Sequence, residues 1–193
     1  LTQPLLCLTG LVAGWQVPAT RPVDLMVAAG RIVGLTGANG AGKSTLLAAI
    51  AGRARVFCGQ LEKKPDLRIG LQTQDVPPLS GLPLSGRDVL ALTAASADGL
   101  PPWLADCLDR RLDRLSGGQR HYLALWAVLQ APAELLLLDE PTNNLDAQGV
   151  RHLAQALRTR ADAGCGILLV SHDAGFVNGV CDEVIVVEAP DVV

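Results

Sequence analysis

The segment that most restricts how this chain can fold is Gly37-Ala38-Asn39-Gly40-Ala41-Gly42-Lys43-Ser44-Thr45. It fits the spacing G-x-x-x-x-G-K-[S/T]. The largely apolar run Arg31–Thr36 leads straight into it and reads as a strand, and Ser44–Ala51, small and aliphatic, reads as the helix that follows. Glycines at these places let the backbone turn tightly with its N–H groups pointing inward. The helix adds its positive N-terminal end to the same spot. A strand, a glycine loop and a helix in that order belong to an α/β sheet with a phosphate cradle at its end. Within such a P-loop, Lys43 can reach the β- and γ-phosphates of a nucleotide and Ser44 can place its hydroxyl on Mg2+.

The rest of the chain is consistent with one globular domain. It has 193 residues, hydrophobic types make up 49% of them, and the formal net charge is -3. A mildly acidic balance gives no support to a general nucleic-acid binder, and no nucleic-acid partner is expected. Arg110, Arg111 and Arg114 form one candidate basic patch, whose plainer reading is a solvated surface cluster. The longest apolar blocks, such as Leu135–Leu138, are strand-sized, so no membrane span is expected. The N-terminus shows no basic segment followed by a long apolar core, so no signal peptide is expected. Five dispersed cysteines without a CxxC pair read as free thiols in a reducing compartment. Three scattered histidines argue against a structural metal cluster.

Strand and helix signals alternate along the chain. Leu5–Leu8, Leu25–Val27, Leu67–Gln72, Leu135–Leu138, Ile167–Val170 and Asp182–Glu188 read as strands. Asp88–Ala95, Trp103–Arg111, Gln119–Gln130 and Gln148–Arg160 read as helices, with Trp103, Leu104 and Leu108 able to share a face. Asp75–Gly86 is rich in proline, glycine and serine and reads as loop. The expectation is an α/β fold with a mostly parallel sheet, and a helical subdomain inserted at approximately 75–130 within a single domain over 1–193.

Three further blocks can carry chemistry. Leu135–Leu138 ends in Asp139-Glu140, which brings two carboxylates to the end of a buried strand, where open α/β sheets bind ligands. Asp139 suits a Mg2+ water shell, and Glu140 can orient or deprotonate an attacking water. In Leu115-Ser116-Gly117-Gly118-Gln119, Ser116 can cap a helix beginning near Gln119, and the two glycines leave backbone uncovered for a phosphate. Its distance along the chain from the P-loop leaves room for use by a second subunit. His172, just beyond the strand Ile167–Val170, can hydrogen-bond a γ-phosphate or the attacking water, or serve a purely structural role.

The order of these blocks, P-loop, Gln74, LSGGQ, LLLLDE and Ser171-His172-Asp173, resembles the nucleotide-binding domain of the ATP-binding cassette (ABC) family over nearly the whole chain. The resemblance implies a P-loop NTPase fold with a small antiparallel β subdomain and a shortened helical subdomain. It implies that Trp15 stacks on adenine, that Gly37–Thr45 bind the phosphates, and that Gln74 touches Mg2+ and signals to a transmembrane partner. It further implies that Ser116, Gly117, Gly118 and Gln119 are the signature that closes over the ATP of an opposite subunit. Asp139 becomes the Walker B aspartate, Glu140 the catalytic glutamate, Asn144-Leu145-Asp146 the loop that crosses the dimer interface, and His172 the switch histidine.

The implied activity is hydrolysis of ATP to ADP and phosphate, with ATP and Mg2+ bound and Lys43, Glu140 and His172 as the catalytic groups. Two copies would sandwich two ATP molecules and drive a separate membrane permease, holding the chain in the cytoplasm at the inner face of the cell membrane. Departures are visible. Tyr122 and Ala127 stand where the family usually has arginines, with Trp126 between them, and the gap from Gln74 to Leu115 is short. Arg53–Lys64 is a short path, which implies a small accessory sheet. Gly81–Leu90, and Val170–Asp173 followed by Cys181–Val184, look like zinc or manganese importer ATPases. Asp139–Asp146 resembles soluble translation-associated members, and the short length resembles haem-exporter ATPases.

Overall fold

The computed structural model describes residues 4–73 and 83–189. In chain order these form strands β1 (Leu6–Gly14), β2 (Val23–Val27) and β3 (Ile32–Thr36), helix α1 (Lys43–Ile50), and strands β4 (Arg55–Lys63) and β5 (Ile69–Gln72). Helices α2 (Gly86–Leu92), α3 (Pro102–Ala105) and α4 (Gly117–Leu129) follow, then β6 (Leu135–Asp139), α5 (Ala147–Asp162), β7 (Gly166–Val170), α6 (Ala174–Val180) and β8 (Glu183–Val186).

Five strands make one parallel sheet in the order β5-β6-β7-β3-β8. Its central members are buried on both faces, which is why β6 and β7 are continuous apolar runs rather than alternating ones. Successive residues divide between two cores. Leu135, Leu137, Leu168 and Val170 pack with Leu46, Leu47 and Ile50 of α1 and with Leu6, Leu8 and Val27 of the second sheet. Leu136, Leu138, Ile167 and Leu169 pack with α4, α5 and α6. All of the β6 leucines have 0% exposure, so truncating any one of them to alanine would cost about 2–5 kcal/mol.

The second sheet is antiparallel, in the order β2-β1-β4. It is small in strand number, as expected, but Arg53–Lys64 is not merely a connection. It contains β4, nine residues long, which pairs with β1 from Leu6↔Lys63 to Gly14↔Arg55. Most of β4 is exposed, so no apolar alternation betrays it in the sequence.

In chain order, helical structure lies between β5 and β6. The expected helix Trp103–Arg111 is reduced to the single turn of α3. Beyond it the chain closes i→i−3 turns, with Cys107 N donating to Leu104 O at 2.9 Å and Arg110 N to Cys107 O at 3.0 Å. Arg111 then runs extended and bridges Ser85, and a single 3-10 turn, Leu112–Arg114, follows it. Leu104 and Leu108 are buried, as their spacing suggests. The Arg110–Arg114 patch is partly neutralised, because Arg111 pairs with Asp113 at 3.0 Å.

Tyr122, one of the two residues that stand at usual arginine positions, and Trp126, beside the other at Ala127, fill the space joining α3, α4 and α5. Both are buried, at 0% and 2% exposure. Tyr122 packs edge-on against Trp103 with centroids 5.0 Å apart, and its hydroxyl lies 2.6 Å from His152 Nδ1. Trp126 Nε1 donates to Ser96 O at 2.9 Å. Aromatic packing and two hydrogen bonds therefore brace α4 where charged side chains would otherwise stand. Among the described residues, no helix is long and apolar enough to cross a membrane.

Candidate functional site

The site forms where β3 and β6 end and α1 begins. Gly42 is the N-cap of α1 in a left-handed conformation, with φ 83°, and no side chain caps the helix. No acidic residue occupies its first turn, so the N–H groups and the positive helix end remain available to an anion. A Cβ at Gly42 would lie 2.4 Å from Ala19 O, so only glycine allows the loop to sit this close to the segment before β2. Lys43 is 6% exposed, and its ammonium donates to Gly37 O at 2.8 Å and Ala38 O at 2.9 Å. These bonds draw the lysine across the loop and hold the loop's shape.

Asp139 closes β6 and Glu140 breaks it. Glu140 has φ 50°, a left-handed conformation that costs a non-glycine residue about 1–2 kcal/mol, and its N–H donates to Val170 O at 2.9 Å. This kink separates two successive acids. Both are 7% exposed, yet Glu140 lines the cleft described below while Asp139 is buried outside that lining. Sequence alone gives no sign of the kink.

His172 meets Glu140 from the end of β7. Its backbone N–H donates to Glu140 Oε2 at 3.3 Å. Its Nε2 lies 3.1 Å from Oε1, at ion-pair distance, but the ring N–H is not aligned as a hydrogen bond, so Oε1 lacks a hydrogen-bond partner. Ser171 Oγ lies 3.4 Å from Thr142 Oγ1 and accepts from Asp173 N at 3.2 Å, while Asp173 caps α6 through Phe176 N at 2.9 Å. Behind this loop His121 of α4 bonds the Pro141 backbone, and burial pulls its imidazole below the usual value against that bond.

These groups enclose a cleft of about 590 Å³. It gathers Asn39, Gly40, Gly42, Lys43, Ser44 and Thr45 with Glu140 and His172, residues expected to act together from sequence. Ala19, Thr142 and Asn143 also line it. Sequence reasoning missed these; only the position of Thr142 and Asn143 directly after the acidic pair could have signalled two of them.

Other expected site residues lie elsewhere. Trp15 is 56% exposed on the loop after β1 and does not line the cleft. Ser116–Gln119 do not line it either. Ser116 caps α4, which begins at Gly117 rather than near Gln119: Gln119 N donates to Ser116 Oγ at 3.1 Å and Ser116 N to Gln119 Oε1 at 2.9 Å. Ser116 and Gly117 are exposed, and a Cβ on Gly118 would lie 3.3 Å from Asn144 O, which brings the signature segment beside the Asn144–Asp146 turn. Asp146 is the N-cap of α5 and accepts from Gly149 N at 2.7 Å. Gln74 lies outside the described residues, as does most of the stretch Asp75–Gly86. All five cysteines are free, and no group of three or more His, Cys, Asp or Glu among the described residues could hold a metal ion.

The family described as ABC transporter matches residues 20–143. The chain is 38% identical over 170 residues to the zinc import ATP-binding protein ZnuC of Pseudomonas entomophila, a match covering 84% of this chain and 66% of that protein. It is 35% identical to ZnuC of Marinobacter nauticus, covering 96% of this chain and 75% of that one. The chain thus spans about two thirds to three quarters of these relatives' length. Among solved structures, the ATP binding subunit of an ABC transporter superposes with a TM-score of 0.81 at 23% identity, over 96% of this chain and 88% of that one, which shows a shared fold. With a family match across most of its length and relatives at this identity, the chain belongs to the ABC transporter family.

Proposed function

We propose that the chain binds and hydrolyses ATP as one half of a head-to-tail dimer, and that this cycle drives a separate membrane permease with zinc or a similar divalent metal ion as cargo. The observation that carries the reading is one cleft holding both a phosphate cradle and a buried carboxylate: Lys43, Glu140 and His172 all line it. The cargo rests on the relatives, which are named zinc import ATP-binding proteins. The permease would hold the chain at the inner face of the cell membrane.

In this reading the P-loop N–H groups and Lys43 bind the β- and γ-phosphates. Glu140 accepts the proton of a water whose oxygen attacks the γ-phosphorus while the bond to the β-bridging oxygen breaks. His172 stabilises charge that develops on the transferred group. Hard oxygen donors suit Mg2+, and Ser44, Asp139 and Gln74 would hold it, where it would neutralise phosphate charge. Trp15, exposed and aromatic, would stack on adenine. Ser116–Gln119, of which Ser116 and Gly117 are exposed and none lines the chain's own cleft, would complete the cleft of a second copy.

Turnover by Glu140→Gln tests the chemistry. Loss of the base should lower turnover by roughly 10²-fold or more while equilibrium ATP binding persists. Unchanged turnover would remove Glu140 from its role.

A further inference from the structure

The signature segment is held by a residue that no motif contains. Gln119 Oε1 accepts from Ser116 N–H at 2.9 Å, which fixes one end of its amide. The other end, Nε2, donates to Cys107 Sγ at 3.3 Å. The Cys107 thiol in turn donates to Trp103 O at 3.5 Å. The result is a directed chain of hydrogen bonds: Ser116 N–H to Gln119, Gln119 to Cys107, Cys107 to the carbonyl of α3. Cys107 is 5% exposed, so the thiol is walled off from solvent and water cannot readily replace it. Ser116, at the other end of the chain, is exposed.

Direction matters here. A carboxamide has one accepting and one donating end. Turned over, Gln119 would present N–H to the Ser116 N–H and oxygen to the sulfur, leaving donor against donor. The Ser116 N–H therefore selects the amide orientation, and Cys107 Sγ, its own hydrogen committed to Trp103 O, accepts from the donating end and holds the amide there, which keeps the Ser116 cap closed and the first turn of α4 in place. Arg120 adds a second brace by donating to Leu115 O at 2.6 Å, but it does not touch the amide.

We propose that Cys107 is a positioning residue for ATP hydrolysis, whose thiol locks the Gln119 amide and so presets Ser116 and the α4 N-terminus to receive the γ-phosphate of ATP bound to a second copy of the chain. The inference rests on the head-to-tail reading above. It gives the short turn after α3 a function: it carries the acceptor that the signature needs.

The test compares Cys107→Ala, which removes the acceptor, with Cys107→Ser, which keeps a group able both to accept and to donate. Steady-state turnover, melting temperature and equilibrium ATP affinity are measured on the full chain. ATP-driven dimerisation is measured in the Glu140→Gln background by sedimentation. Losing one modest positioning hydrogen bond should lower kcat by roughly fivefold in Cys107→Ala and weaken dimerisation by a similar factor. ATP affinity of the single chain should not move, because the P-loop lies elsewhere. Cys107→Ser should recover most of the loss. Unchanged kcat and dimerisation in Cys107→Ala would overturn the proposal while leaving the head-to-tail reading in place. A purely structural role would show as a lower melting temperature with kcat unaltered, and that also overturns it. If the Glu140→Gln chain without further change fails to dimerise with ATP, the head-to-tail reading falls and this inference falls with it.

Discussion

His172 faces both carboxylate oxygens of Glu140, with its backbone N–H 3.3 Å from Oε2 and its Nε2 3.1 Å from Oε1. The carboxylate side chain is 8% exposed and the imidazole 52%, so the acid is the fixed member of the pair and the imidazole the accessible one. His172→Ala should therefore leave the fold nearly untouched, within about 0.5 kcal/mol, because an exposed ring is lost. It should nonetheless lower turnover by roughly 10²-fold if the ring stabilises charge in the transition state. Thermal melting and steady-state turnover of the same preparation check both halves.

Two P-loop glycines should respond differently to one added methyl group. Gly42 and Gly40 share a left-handed backbone, with φ 83° and 81°. A Cβ at Gly42 would meet Ala19 O at 2.4 Å, whereas at Gly40 it would meet nothing within 4 Å. Gly40→Ala should cost about 1 kcal/mol from backbone strain alone. Gly42→Ala adds a clash with backbone and should cost roughly 3 kcal/mol or more. Urea denaturation of the two variants distinguishes them, and equal losses would contradict the close approach.

Tyr122 is wholly buried and its hydroxyl is 2.6 Å from His152 Nδ1. Tyr122→Phe keeps the ring against Trp103 but leaves the imidazole nitrogen without that hydrogen-bond partner. A loss of about 1–2 kcal/mol is expected, which corresponds to a fall in melting temperature of roughly 3–6 °C for a chain of this size. Differential scanning calorimetry measures it directly.

Much of this was legible in the sequence because the features depend on local rules. The P-loop shows itself through glycines at fixed offsets followed by lysine and serine. Strands β6 and β7 show themselves as unbroken apolar runs because both of their faces are buried. β4 stayed hidden because an edge strand with exposed side chains carries no pattern that distinguishes it from a loop. Trp103–Arg111 has helical spacing, yet beyond Ala105 the chain tightens into i→i−3 turns and is extended at Arg111, where it bridges Ser85. The left-handed turn at Glu140 and the sulfur contact at Gln119 depend on what surrounds them in space, which spacing along one chain does not encode.

His121 predicts a mild acid sensitivity. Burial lowers its folded-state pKa below the ordinary 6.5, opposed by a hydrogen bond with the Pro141 backbone. A histidine kept neutral by folding binds fewer protons folded than unfolded. Its contribution is therefore fully present above pH 6.5 and is lost as pH falls from 6.5 through the lowered folded value. Denaturation midpoints measured above and below pH 6.5 should diverge less in His121→Gln than in the parent chain.

The central claim is that the P-loop cleft and the Ser116–Gln119 segment are two halves of a site that only two copies complete. Sedimentation of Glu140→Gln with and without Mg-ATP tests it most directly, because bound ATP then persists. The account predicts a monomer without nucleotide, a dimer with it, and a return to monomer when Ser116→Arg blocks the exposed cap. A Glu140→Gln chain that stays monomeric at saturating Mg-ATP, or a dimer indifferent to Ser116→Arg, would contradict it.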